Sequence, residues 1–83
     1  MDHYLLTARS VTQAQQMAAV LERSGISVRV RRIGAGMSKS GCAYSLEVAQ
    51  RHYPRAAAAL SEAGKRPVKV FFVSDGVRRE VTQ

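Results

Sequence analysis

The chain repeats one strand–helix–strand pattern, and this repeat constrains its fold more than any other feature. Residues 18–25 and 57–64 are similar alanine-rich segments that end in glycine, and alternating strands follow them at 28–30 and 68–70. A right-handed crossover in each unit, with the two units joined by a central hairpin, gives a ferredoxin-like arrangement with an antiparallel sheet. We therefore predict an α+β, ferredoxin-like βαββαβ two-layer sandwich, with a four-stranded antiparallel sheet and two helices on one face.

Hydrophobic periodicity and capping residues predict where each element begins and ends. Strands are predicted over residues 4–8, 26–33, 42–48 and 68–73. Ser10 and Gln13 form a capping-box pattern in which Gln13 reaches back to Ser10, so the first helix begins there and ends at Gly25. The second helix is predicted from Pro54 to Gly64, because proline suits a first helical position and glycine ends a helix.

The two central strands alternate with a period of two and are joined by a loop rich in glycine and serine over residues 34–41. In the first strand the valines face the core, which leaves Arg29 and Arg31 on a basic outer face. In the second strand Leu46 faces the core, and the same parity puts Cys42 on the core side. We predict a long antiparallel hairpin with Cys42 at its mouth.

The length of the chain, 83 residues, predicts a single domain with one modest core. We place the ferredoxin-like core in residues 1–74. Residues 75–83 are either a frayed tail or a short extra strand that Asp75 and Gly76 would turn back.

Composition narrows the cellular setting. A single cysteine cannot form an internal disulfide, no apolar run approaches the roughly 20 residues of a membrane span, and the first residues lack a basic region. We therefore expect a cytoplasmic protein that does not associate with membranes. The net charge of +7 favours nucleic acid, an acidic protein face or anionic metabolites as partners, but net charge alone is better explained by a solvated basic surface without a dedicated partner.

Cys42 is the side chain with the most reactive chemistry in the sequence. Cationic groups and backbone N–H donors favour a thiolate, which is the nucleophilic form of cysteine. The predicted supporting groups are Lys39, Ser40, Gly41, Arg29 and Arg31. A thiolate in such a loop can hold a sulfur or selenium atom as a persulfide or selenopersulfide. The alternative is that Cys42 is a small buried packing residue, as free cysteines often are.

Other kinds of site have less support. We predict no metal site and no cofactor, because Cys42, His3 and His52 are scattered and the glycine-rich loop matches neither a dinucleotide fingerprint nor a phosphate-binding loop. A Cys–His pair requires the fold to bring His3 or His52 beside Cys42.

Binding through the open sheet face is the main alternative function. RNA-recognition domains share the βαββαβ topology but place aromatic residues on that face of the first and third strands. Here the third strand would offer Ser45 and Glu47 instead, and Phe71 is the expected open-face aromatic. We regard nucleic acid as a weak candidate and a homodimer through this face, or a non-catalytic binding module, as another.

A similarity to a known family covers nearly the whole chain and is clearest in residues 4–7, 21–26, 40–42, 44–46 and 63–64. The sequence resembles the family of putative selenium/sulfur carrier protein-like domains, long classed as a domain of unknown function. Cys42 corresponds to the cysteine that members carry at the start of the third strand, and Ala43 replaces the glycine that often follows it.

The resemblance implies a carrier rather than an enzyme. It suggests that Cys42 accepts sulfur or selenium from a donor of the cysteine-desulfurase type and passes it to an acceptor protein. Such a carrier would show no turnover on its own.

Overall fold

A computed structural model describes residues 2–33 and 44–81 of the chain. The strands are β1 (His3–Ala8), β2 (Arg29–Arg32), β3 (Tyr44–Ala49), β4 (Val70–Ser74) and β5 (Val77–Val81). The helices are α1 (Val11–Arg23) and α2 (Tyr53–Ala63), and a 3₁₀ turn at Gln50–His52 precedes α2. The strands form one sheet in the order β2-β3-β1-β4-β5, and every neighbouring pair is antiparallel.

In the described residues the sheet has five strands, so the α+β class and the two helices are as predicted but the predicted number of four strands is wrong. The fifth strand forms because Asp75 and Gly76 make a two-residue turn with φ values of 52° and 77°. Positive φ at both central residues is typical of the hairpin turn whose twist matches that of the strands it joins. Val81 therefore pairs with Val70, and residues 77–81 form the short extra strand rather than a frayed tail.

One cluster of buried apolar side chains lies between the helices and one face of the sheet. Leu6, Leu46 and Val70 sit in register on adjacent strands and are almost fully buried, which identifies the face that the helices cover. The helices contribute Ala14, Met17, Val20, Leu21, Ala56 and Leu60. Burial of this apolar surface is the main stabilising contribution to a domain of this size.

The helix ends largely follow the predicted local signals. The Gln13 N–H donates to Ser10 Oγ at 3.1 Å, but Gln13 Oε1 accepts from the Arg9 N–H at 2.8 Å, not from that of Ser10. The residues that end the helices, Gly25 and Gly64, both have left-handed φ, at 78° and 68°. Helix α2 begins one residue before the predicted Pro54.

Strand β2 is shorter and more exposed than the sequence predicts. It covers four residues instead of the predicted 26–33, and all four are exposed, including Val30 at 39%. Ile26 is buried, but it lies before the strand. In the described part of the chain β2 is an edge strand that pairs only with β3. Val30 is opposite buried Leu46 and so lies on the helix side of the sheet as predicted, but it is not buried there.

Aromatic rings pack α2 against the sheet. The rings of Tyr4 and Tyr53 are stacked with centroids 3.9 Å apart and an interplanar angle of 11°, and Phe72 lies 5.0 Å from Tyr4. Burial raises the pKa of Tyr53, and the nearby Tyr4 phenol raises it further. This contact fixes the start of α2 over β1 and β4.

Candidate functional site

Four of the predicted site residues, Lys39, Ser40, Gly41 and Cys42, lie outside the described residues. The structure describes both flanks of their segment. Strand β2 ends at Arg32, strand β3 begins at Tyr44, and these two residues are paired across the strands. The remaining predicted residues, Arg29 and Arg31, are in β2, so the two antiparallel strands that border the segment are present, although β2 is shorter than predicted.

Arg29 and Arg31 lie on the sheet face opposite the helices, as their alternation with core residues predicts. Arg31 is opposite Ser45 and Arg29 is opposite Glu47. The Arg31 Nε lies 3.9 Å from Glu47 Oε1, with the Arg31 side chain 57% exposed. An exposed pair of this kind contributes about 0–1 kcal/mol. Glu47 therefore offsets part of the positive charge of Arg29 and Arg31, which the sequence predicted for this face.

Arg32 is a cation that the sequence reasoning did not select. It is exposed and lies directly opposite Tyr44, the residue at which β3 begins. Its neighbour Val30 pairs with buried Leu46, so Arg32 belongs to the helix side of the hairpin. Arg32 is visible in the sequence as the last residue of the Arg29–Arg32 run, but its position opposite Tyr44 depends on a strand register that the sequence did not specify.

The described part of β3 alternates as predicted. Leu46 and Val48 are fully buried, and Tyr44 is partly buried against the same core. Glu47, between the two buried residues, is on the open face with an intermediate exposure. The parity argument for Cys42 therefore begins from correctly assigned neighbours, although Cys42 itself is outside the described residues.

Both histidines lie at the far end of β3 from Tyr44. His3 pairs with Ala49, and His52 follows that same end of the strand in the 3₁₀ turn. Five residue steps along a strand separate Ala49 from Tyr44, which is about 17 Å. The fold thus brings no imidazole to the end of β3 that leads back to Cys42. Within residues 2–33 and 44–81 there is also no cluster of three metal-ligating side chains.

The open sheet face carries an apolar centre with charged margins. Leu5 pairs with Phe71, Val73 is next to them on β4, and all three are partly exposed. The Arg78 guanidinium carbon lies 5.7 Å from the centre of the Phe71 ring. Phe71 is on this face as predicted.

The aromatics of the first and third strands are on the other face. Tyr4 pairs with Val48 and Tyr44 pairs with Ala8, and both partners are buried on the helix side. Among the residues that the structure describes, β1 and β3 therefore provide no aromatic ring on the open face. An RNA-recognition domain would use such rings to stack bases.

The fold is that of a small two-helix α+β domain whose only cysteine falls, in the sequence, between strands β2 and β3. Residues 3–71 match the family described as "Putative Se/S carrier protein-like". The match extends from β1 into β4 and includes Cys42, so the chain belongs to this family. No curated protein matches the chain at a significant level. No helix in the described ranges is long and apolar enough to cross a membrane.

Proposed function

We propose that this protein is a carrier that holds sulfur or selenium on Cys42 as a persulfide or selenopersulfide and transfers it between partner proteins. The observation that carries the proposal is the family match over residues 3–71, because that range contains the single cysteine of the chain. With one cysteine there is no second thiol to close an internal disulfide, so a bound sulfur atom would leave only through an outside acceptor.

The transfer needs no external oxidant or reductant. The Cys42 thiolate attacks the outer sulfur of a persulfide on the donor enzyme, a new S–S bond forms at Cys42, and the donor's S–S bond breaks. The donor cysteine leaves as a thiolate with the electron pair of that bond. The acceptor protein repeats the exchange through its own thiolate, which returns Cys42 to its starting state.

Charge near the hairpin supports a thiolate at Cys42. Cys42 and Tyr44 are two residues apart in the sequence, so their Cα atoms can be at most about 7 Å apart. Arg32 is opposite Tyr44 and Arg31 opposite the next residue of β3, so two exposed guanidinium groups border the segment. Lys39 and the Gly41 backbone are the further groups that we assign to thiolate stabilisation, with Ser40 as a hydrogen-bond donor.

The partners follow from this chemistry. The donor would be an enzyme of the cysteine-desulfurase type, which forms a persulfide on its own cysteine, and the acceptor would be a protein that consumes sulfur or selenium. The carrier alone would show no turnover. We place this exchange in the cytoplasm, where free thiols persist.

Intact-mass measurement tests the proposal. The protein is incubated with a cysteine desulfurase and cysteine, separated under non-reducing conditions and weighed beside Cys42→Ser. We expect wild type to gain the mass of one sulfur atom, to lose it on treatment with a dithiol, and Cys42→Ser to gain nothing. An unchanged wild-type mass, while the desulfurase itself becomes persulfidated, would overturn the carrier function.

The open sheet face supports a second candidate function, a non-catalytic module that forms a homodimer. Leu5, Phe71 and Val73 form an apolar centre that the helices do not cover. Sedimentation across a concentration series tests this: wild type would show a dimer that Phe71→Glu disrupts. A monomer at every concentration contradicts it. A dimer would not contradict the carrier function, which sulfur loading of Cys42 tests separately.

A further inference from the structure

A groove of about 300 Å³ lies between the outer side of α2 and the helix-covered face of the sheet. Leu6 and Val70 form its floor, and Tyr53 and Leu60 form the wall on α2. The groove exists because the sheet is wider than the helical layer. The principal contacts of the helices with the sheet are to the β1–β3 side, whereas the sheet continues past α2 to β4 and β5.

Two polar side chains, Arg66 and Ser61, are at the rim of this groove. Arg66 Nη2 lies 3.5 Å from Ser61 Oγ, and the Arg66 side chain is exposed. In the described part of the chain, no carboxylate comes within ion-pair distance of Arg66 and none of the residues lining the groove is acidic. The groove therefore combines apolar walls with one guanidinium group whose charge is not balanced locally.

We propose that this groove binds a small organic carboxylate with an apolar body, such as a short alkyl chain or a single aromatic ring. The body would occupy the space between Tyr53, Leu60 and Val70, and the carboxylate would accept hydrogen bonds from Arg66 and Ser61. A planar guanidinium group suits a carboxylate because it can donate two parallel hydrogen bonds. The volume is at the lower limit of small-molecule pockets, which restricts the ligand to a short body. None of the residues lining this groove is among those assigned to the carrier chemistry, and the proposal does not depend on the carrier function.

Titration of the full chain with butanoate, hexanoate and octanoate, followed by amide NMR shifts, tests the proposal. Each added methylene buried in the groove should strengthen binding by about fourfold at most. The shifts should cluster at Tyr53, Leu60, Ser61 and Arg66. Octanamide, which has the same body without the charge, should bind more weakly than octanoate.

Three variants separate the charge from the apolar walls. Arg66→Gln should weaken octanoate binding by about tenfold and leave octanamide unaffected, because a charge-assisted hydrogen bond is lost. Arg23→Gln, which removes the same charge from the exposed end of α1, should change neither. Ala57→Trp should abolish binding of both ligands by filling the groove, and Ala57→Leu provides a milder substitution at this exposed helical position if the larger one unfolds the protein.

Three results would overturn the proposal. They are equal affinities for octanoate and octanamide, shifts that lie away from the groove, and the absence of saturable binding. The last is the result expected if the groove receives an apolar side chain of another protein instead of a small carboxylate.

Discussion

At the scale of single residues, Arg32 is the described cation most directly tied to the proposed chemistry. It pairs with Tyr44, two residues along the chain from Cys42, and is exposed on the helix side of the hairpin. An exposed positive charge favours a nearby thiolate only modestly, because solvent screens most of the interaction. Its contribution should therefore be measurable but small.

We predict that Arg32→Gln slows alkylation of Cys42 by roughly twofold at neutral pH. The measurement is the rate of iodoacetamide modification, followed by intact mass. Arg79→Gln is the matched control, because Arg79 is an exposed arginine on β5, at the other edge of the sheet. Equal slowing in both variants would mean that only net charge matters, and no change in either would remove Arg32 from the site.

The stacked pair Tyr4 and Tyr53 gives a pH-dependent property of the folded state. The pKa of Tyr53 is raised above its ordinary value of 10.0 by burial and by Tyr4. Folding thus favours the neutral phenol, so the contribution to stability is complete below pH 10.0 and decreases as pH rises through the raised folded-state pKa.

We expect the free energy of unfolding to decrease with rising pH in this alkaline range. Urea denaturation on either side of the ordinary tyrosine pKa measures the change. Tyr53→Phe should reduce the decrease, whereas Tyr44→Phe, a substitution outside the stack, should leave it in place. If wild type and Tyr53→Phe lose stability in parallel, the stack does not determine the pH dependence.

At the scale of elements, the turn between β4 and β5 decides whether the fifth strand forms. Gly76 has φ of 77°, and no atom lies within 4 Å of the position that a Cβ atom would occupy there. A substitution at Gly76 therefore meets backbone strain but no steric contact. Asp75, at φ of 52°, occupies a conformation that asparagine also tolerates.

We predict that Gly76→Ala lowers the free energy of unfolding by about 1 kcal/mol, because a left-handed backbone is unfavourable for residues with a Cβ atom. Asp75→Asn is the control and should change stability by less than about 0.5 kcal/mol. Both values come from urea denaturation. An unaffected Gly76→Ala variant would indicate that the β4–β5 hairpin contributes little to the folded state.

The sequence predicted the elements whose signals are local. Gly25 and Gly64 end their helices as expected, and Leu46 and Val48 are buried as their alternation predicts. It failed for Val30, because burial there depends on whether the helical layer reaches an edge strand. The periodicity along one strand does not show whether a helix covers that strand.

In the candidate site, too, local signals were predicted correctly and features that depend on neighbouring strands were not. The positions of Arg29 and Arg31 followed from alternation alone. The partial neutralisation of Arg31 by Glu47 and the position of Arg32 opposite Tyr44 needed the register between β2 and β3. That register could not be read from the sequence, because residues 33–43 separate the two strands along the chain, whereas only a two-residue turn would have fixed the register.

At the scale of the whole molecule, the net charge of +7 should govern how fast partners are found. Electrostatic attraction raises association rates with acidic surfaces and is screened by salt. We predict that the initial rate of sulfur loading from a desulfurase decreases steadily with ionic strength, while the final extent of loading does not change. A rate that is independent of salt would show that charge does not steer the encounter.

The central claim is that Cys42 holds one transferable sulfur atom. Cyanolysis tests it most directly, since cyanide removes the outer sulfur of a persulfide as thiocyanate, which is measured by colour with iron(III). The protein is loaded by a desulfurase with cysteine, freed of both and treated with cyanide. We predict one equivalent of thiocyanate per chain for wild type and none for Cys42→Ser. No thiocyanate from loaded wild type, or an equal yield from both proteins, would contradict the account.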